Sequence, residues 1–288
     1  MPYIQRRNAI LAMICLFLML SLSTVWFSYR TDKSNAAAAP PAQKPVPTVF
    51  VHGYKGTARS FNGMLGRLEK SGTAEKAMVI RVTKDGMIVV NGEISNRARH
   101  PMIQVIFSDN RASFRQTAGW LEKTMHILYT KYDVKEANLV GHSMGGLICT
   151  KYIEDTSGRR QYPDIQKLVT IGSPYEGVLT RVFKQNPNNT GDAARDLLPG
   201  SVALKALYAN KSRFNPHIQV LAIAGVVNKP ASGDSLVSLD SALFSRFIVP
   251  KKQYTSKIVY GKNAQHSSLH ENKRVDRLVA DFLWHAKK

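Results

Sequence analysis

Two rhythms of apolar and polar residues alternate along this chain. The first is the short apolar run of a buried strand. Thr48-Val49-Phe50-Val51 is such a run, and it ends in His52-Gly53. Residues 78–82 and 87–90 flank Lys84-Asp85-Gly86, a hairpin signal. Further strand runs lie at 102–107, 138–140, 168–171, 218–224 and 257–260. The second rhythm is helical. Ser60 is placed to cap a helix with apolar positions Phe61, Met64, Leu65 and Leu68, and Gly72 to stop it. Phe114, Ala118, Leu121, Met125, Leu128 and Tyr132 recur in steps of 4, 3, 4, 3 and 4, one face of a helix. Residues 147–153 form a helix rising from Gly145-Gly146. Val275, Leu278, Val279 and Phe282 mark a closing helix.

Strands alternating with helices predict an α/β fold. It has a mostly parallel central sheet covered by helices on both faces and a β-hairpin insertion near Asp85-Gly86. Residues 175–216 are polar apart from a short apolar patch at 197–207. The segment is too long for a simple connection and is read as a cap or lid.

The N-terminal pattern differs. Arg6 and Arg7 precede a charge-free apolar run of 19 residues at 9–27, diluted by Ser21, Ser23 and Thr24. At about 1.5 Å per residue the run nearly spans a bilayer core. Residues 1–35 are therefore expected to be a signal peptide or an uncleaved signal anchor, directing the chain to the cell surface or the medium. Cys15 lies within the run as an apolar filler. Residues 36–47, with Pro40, Pro41, Pro45 and Pro47, read as an extended Ala/Pro tether. The folded domain is expected to occupy 48–288.

Gly141-His142-Ser143-Met144-Gly145 fits G-x-S-x-G, and its context strengthens it. It follows the strand at 138–140 and opens a helix, as a nucleophile elbow requires. Gly141 and Gly145 are needed where strand and helix pass too close for a Cβ. A serine hydroxyl needs a base to take its proton, and in this arrangement the acid and then the histidine follow the serine along the chain. His266, in the loop before the closing helix, is the favoured base. His270 is the runner-up, and as the alternative it caps that helix or supports the site. Asp234 is the favoured acid, after the strand at 218–224, and Asp240 is its runner-up. Asp192 and Asp196 fall in the lid and are expected to be solvated. The oxyanion of a tetrahedral intermediate needs donors. The Met144 amide is one, and the Tyr54 amide, after His52-Gly53, is the other.

At these residues the chain resembles the α/β-hydrolase superfamily and its lipase-like members. The resemblance rests on Val51-His52-Gly53-Tyr54, on Gly141 to Gly146, on Gly233-Asp234-Ser235-Leu236-Val237 and on His266-Ser267-Ser268-Leu269. More closely, the hairpin at Asp85-Gly86 and the stretch from His266 through His270 to Asn272 resemble a family of exported bacterial cell-surface hydrolases of undefined substrate. The resemblance covers Thr48 to the C-terminus. It implies a triad of Ser143, Asp234 and His266 with the Tyr54 and Met144 amides, and no metal or cofactor. The expected activity is hydrolysis of ester or lipid-like small molecules through an acyl-enzyme. The alternatives are acyl transfer to an envelope alcohol and a catalytically silent envelope-binding module.

Composition narrows the partners. The 288 residues are ample for a core, and only 2 are cysteines, which excludes a disulfide scaffold or a multi-cysteine zinc module. Cys149 reads as core. The net charge is +20. Without the residues before Pro40 the chain loses four basic residues (Arg6, Arg7, Arg30, Lys33) and one acidic residue (Asp32) and keeps +17. The positive balance therefore belongs to the folded domain. Behind an export signal, and without a nucleic-acid-binding motif, nucleic acid is excluded as the partner. An anionic membrane or cell-wall polymer is expected instead.

Overall fold

The computed structural model describes residues 44–285 and scattered residues between Ile4 and Trp26. The chain separates into two compact units, Met1–Lys44 and Pro45–Lys288. Most of the expected export segment and tether, with Cys15, lies outside the described residues. Among the described residues no helix is long and apolar enough to cross a membrane.

Eight strands form one sheet: β1 (Thr48–Val51), β2 (Glu75–Val82), β3 (Ile88–Gly92), β4 (Pro101–Phe107), β5 (Glu136–His142), β6 (Asp164–Ile171), β7 (Gln219–Val226) and β8 (Tyr254–Tyr260). Their spatial order is β3-β2-β4-β1-β5-β6-β7-β8. Only the β2–β3 hairpin pair is antiparallel; the rest run parallel. This is the α/β-hydrolase fold. Most strands extend beyond their apolar runs because polar residues also enter the ladder, as where Glu136 pairs with Asp164.

Side chains of a strand alternate between faces, so each strand feeds two cores. Val49 and Val51 join one buried cluster and Phe50 the other. On the first face lie α2 (Phe114–Lys131) and α3 (Met144–Thr156). The α2 residues Phe114, Ala118, Leu121, Met125 and Leu128 are buried there, at the predicted spacing. Tyr132 falls just past the helix and stays partly exposed. The second face carries α1 (Arg59–Lys70) and α8 (Lys273–Trp284). Phe61, Met64, Leu65 and Leu68 of α1 meet Val275, Val279 and Leu283 of α8 in that core. Each such large side chain contributes about 2 kcal/mol on burial.

Ser60 does not cap α1. The helix starts two residues earlier, after Ala58, and the Ser60 hydroxyl accepts from the Thr57 amide instead. The 175–216 segment folds into three short helices, α4 (Thr180–Lys184), α5 (Asp192–Asp196) and α6 (Val202–Ala209). Asp196 is not merely solvated. Its Oδ2 accepts from the Phe114 amide at 2.8 Å, pinning the segment to the start of α2. A further helix, α7 (Leu239–Leu243), lies between β7 and β8.

Candidate active site

Ser143 joins β5 to α3 at φ 56° and ψ −129°, a conformation rare for any residue with a side chain. Its amide donates to Ile171 O at 2.8 Å and its carbonyl accepts from Gly146 N at 3.1 Å, which holds the turn. The glycines make the turn possible. A Cβ on Gly145 would stand 2.1 Å from Val51 O, and one on Gly141 would stand 2.3 Å from Gly146 N. The hydroxyl is thereby presented at the C-terminal edge of the sheet, with 8% of the residue exposed.

The structure brings Ser143, His266 and Asp234 together from three separate loops. His266 Nε2 lies 2.9 Å from Ser143 Oγ, and His266 Nδ1 lies 2.7 Å from Asp234 Oδ2. The carboxylate only accepts, so Nδ1 carries the proton and Nε2 is free to accept from the serine hydroxyl. Asp234 is fully buried and fixed by its own turn. Its Oδ1 accepts from the amides of Leu236 (3.0 Å) and Val237 (2.7 Å). The loop after β7 thus shelters the acid with backbone donors as well as apolar side chains. Its carbonyl accepts from the His266 amide at 2.9 Å, tying acid and base loops together.

Other groups hold His266 in place. His142 Nε2 donates to His266 O at 3.0 Å, and the two rings lie 4.9 Å apart. Burial, followed by the neighbouring His266 and His270, holds the His142 imidazole well below its ordinary value, so it stays neutral. Arg67 of α1 grips the 3-10 segment His266–Glu271 and the start of α8. It donates to both Asp276 carboxylate oxygens (2.6 and 3.1 Å), to Glu271 Oε2 (2.8 Å) and to His270 O (3.1 Å). Nothing in the local pattern around Arg67 marks this role, because Asp276 lies 209 residues away. His52 is buried behind the first strand. Its Nε2 accepts from the Phe107 amide at 3.0 Å, so its Nδ1 donates to Gly53 O at 2.9 Å. Burial lowers its pKa to about 4.

Of the runner-up residues, His270 lines the same cavity as Ser143 and His266. Asp240 is exposed in the first turn of α7, away from His266. His270 faces Glu271 at 3.2 Å and packs its ring edge-on to His142 at 4.7 Å. It does not cap α8; the Asn272 side chain does, accepting from the Arg274 amide.

Gly53 brings the end of β1 against the elbow. A Cβ there would lie 2.8 Å from Ser143 Cβ and 2.9 Å from Met144 N. The next amide, Tyr54 N, and the first amide of α3, Met144 N, donate to no other backbone carbonyl among the described residues. A cavity of about 500 Å³ opens over Ser143 and His266. Val178, Val182, Phe183, Leu197 and Leu236 give its lining apolar surface, and Lys55, Ser60, Asn186 and Asn189 give it polar groups. The 175–216 segment contributes six of the residues that line this space. It is fastened by Tyr54 Oη to Thr190 O (2.8 Å), by Lys55 Nζ to Asn189 Oδ1 (2.7 Å) and by Arg111 Nη1 to Thr190 Oγ1 (3.2 Å). Among the described residues no group of three or more His, Cys, Asp or Glu side chains is arranged to hold a metal ion. Cys149 is buried in α3, and burial pushes its thiol pKa up, leaving it unreactive.

Comparison with known proteins agrees with this architecture. A structure of a Listeria innocua gene product matches with a TM-score of 0.72 and 29% identity, over 85% of this chain and 96% of that one. A Lactobacillus plantarum protein proposed to be a cell surface hydrolase matches with a TM-score of 0.66 and 26% identity, over 85% and 94% of the two chains. A Bacillus licheniformis lipase in its mature form shares the fold at 16% identity, with a TM-score of 0.54 over 86% and 94%. No match to a curated protein is found. The family described as alpha/beta hydrolase of unknown function matches residues 36–286. With that match over most of its length and the hydrolase fold and serine elbow described above, the chain belongs to this α/β-hydrolase family.

Proposed function

We propose that this protein is an exported serine hydrolase that cleaves carboxylic esters. The observation that carries the reading is the unbroken hydrogen-bond chain from Ser143 Oγ through His266 to Asp234. His266 Nε2 takes the hydroxyl proton as Oγ attacks the ester carbonyl carbon. The charge that develops on the carbonyl oxygen is met by the Tyr54 and Met144 amides. His266, now charged, is steadied by Asp234 and passes its proton to the leaving alkoxide. An acyl group then remains on Ser143. Water attacks it by the same proton route in reverse, releasing the acid and restoring the hydroxyl. The half-apolar, half-polar cavity suits an ester with an apolar acyl part and a polar head.

Location is part of the proposal. The apolar run behind Arg6 and Arg7 reads as an export signal or anchor. The Lactobacillus plantarum relative, with its cell-surface description, supports a surface position. The +17 charge that remains beyond the export segment then faces an anionic membrane.

Turnover of p-nitrophenyl carboxylic esters of increasing chain length tests the activity. Wild type is expected to release p-nitrophenolate, and Ser143→Ala to lose about 10⁴-fold or more in kcat. Absence of turnover by the wild type across the series contradicts the ester reading.

A further inference from the structure

Lys55 stands in the cavity of the serine, and Arg111 lies against the same Tyr54 ring as Lys55. Lys55 lines the cavity that holds Ser143 and His266, one residue after the Tyr54 amide. It adopts φ 56°, a left-handed conformation, and its amide is tied to Asn110 O at 2.8 Å. Its ammonium lies 5.5 Å from the centre of the Tyr54 ring, and the Arg111 guanidinium lies 5.8 Å from the same centre. Among the described residues neither forms an ion pair. Lys55 Nζ is met by the neutral Asn189, and Arg111 Nη1 by Tyr54 Oη, Asn188 O and Thr190 Oγ1. Burial, and after it the nearby Arg111, push the Lys55 pKa down. A cation at the cavity without a counter-charge favours a bound anion.

Resting on the reading of Ser143 as nucleophile, we propose that Lys55, backed by Arg111, is an anion subsite of the cavity. The ester that this enzyme takes therefore carries a carboxylate or a phosphate close to the bond that breaks. The apolar lining residues hold the acyl part and Lys55 holds the charged group. A charge-assisted hydrogen bond of this kind is worth about ten- to a hundredfold in selectivity.

Matched ester pairs read that selectivity. One pair places a carboxylate on the acyl side: mono-p-nitrophenyl glutarate against p-nitrophenyl valerate. The other places a phosphate on the alcohol side: lysophosphatidic acid against monoacylglycerol. Wild type is expected to favour the charged member of at least one pair by about tenfold or more in kcat/KM, and the pair that responds names the anion. Lys55→Met is expected to erase most of that ratio and Lys55→Arg to restore it. Asn189→Ala, which breaks the tie to the lid but keeps the cation, should preserve it. A ratio at or below one for both pairs, or a ratio unmoved by Lys55→Met, overturns the proposal.

A readout without turnover separates this proposal from the reading beneath it. At constant ionic strength, inorganic phosphate or glutarate should raise the Tm of wild type and of Ser143→Ala alike, but not of Lys55→Met. If neither anion stabilises the wild type, or if Lys55→Met responds equally, the subsite does not exist, whatever the esterase assays show. If no ester is cleaved and Ser143 stays unreactive while Lys55-dependent stabilisation persists, the subsite stands and the hydrolase reading falls.

Discussion

His142 Nε2 donates its proton to the backbone carbonyl of His266 at 3.0 Å. The residue immediately before the serine therefore steadies the histidine whose Nε2 lies 2.9 Å from the serine hydroxyl. The bond positions His266 and takes no part in the chemistry.

Replacing His142 by Phe removes the donor while keeping a ring in the packed site. We expect kcat for ester hydrolysis to fall about tenfold, the kinetic equivalent of about 1.4 kcal/mol, with KM little changed. His142→Gln, which keeps an N–H donor, should recover most of the loss. A His142→Phe enzyme with unaltered kcat removes this role.

His52 makes stability depend on pH. Burial lowers its pKa to about 4 from an ordinary 6.5. The unfolded chain thus binds the proton before the folded one does. The stabilising contribution is complete above about pH 6.5 and is lost as pH falls toward 4, by about 3 kcal/mol. His142 acts in the same direction. Urea unfolding at a series of pH values checks this. The wild type should weaken steeply across that window, and His52→Asn should show a shallower slope. Identical slopes contradict the assignment.

Arg67 ties α1 to the segment carrying His266. Replacement by Met leaves the buried Asp276 without its partner and should cost about 2 kcal/mol of stability. Because the same side chain also holds His270 O, kcat should drop as well. Thermal unfolding and ester turnover measured on one preparation test both effects. Unchanged Tm and kcat would show that the contact does not matter.

How much of this was legible in the sequence depends on distance along the chain. The β1 run, the α2 face and the serine elbow are local patterns, and the structure has each of them close to where the periodicity puts it. The same holds for the overall α/β-hydrolase fold, because Gly141 and Gly145 record the close approach of strand and helix directly. Contacts between remote segments leave no local trace. Arg67 meets Asp276 across 209 residues and Tyr54 meets Thr190 across 136. Asp196 looks like a solvated lid residue until the start of α2 is seen beside it. Ser60 has the chemistry of a helix cap, but Ala58 occupies that position because α1 begins two residues earlier than the apolar pattern does.

The positive charge of the folded domain is testable in the same terms. The full chain should be retained more on phosphatidylglycerol vesicles than on phosphatidylcholine vesicles at low salt. That difference should shrink as ionic strength rises and the Debye length falls below about 10 Å. Equal retention on both lipids, or a difference that persists unchanged in high salt, counts against a charge-driven membrane partner.

The central claim is that Ser143 is a nucleophile activated by His266 and Asp234. A fluorophosphonate probe followed by peptide mass spectrometry tests it most directly, because the probe labels only an activated hydroxyl. One adduct is expected, on Ser143, absent in Ser143→Ala and formed far more slowly in His266→Ala. An unlabelled wild type, or labelling that survives in Ser143→Ala, would contradict it.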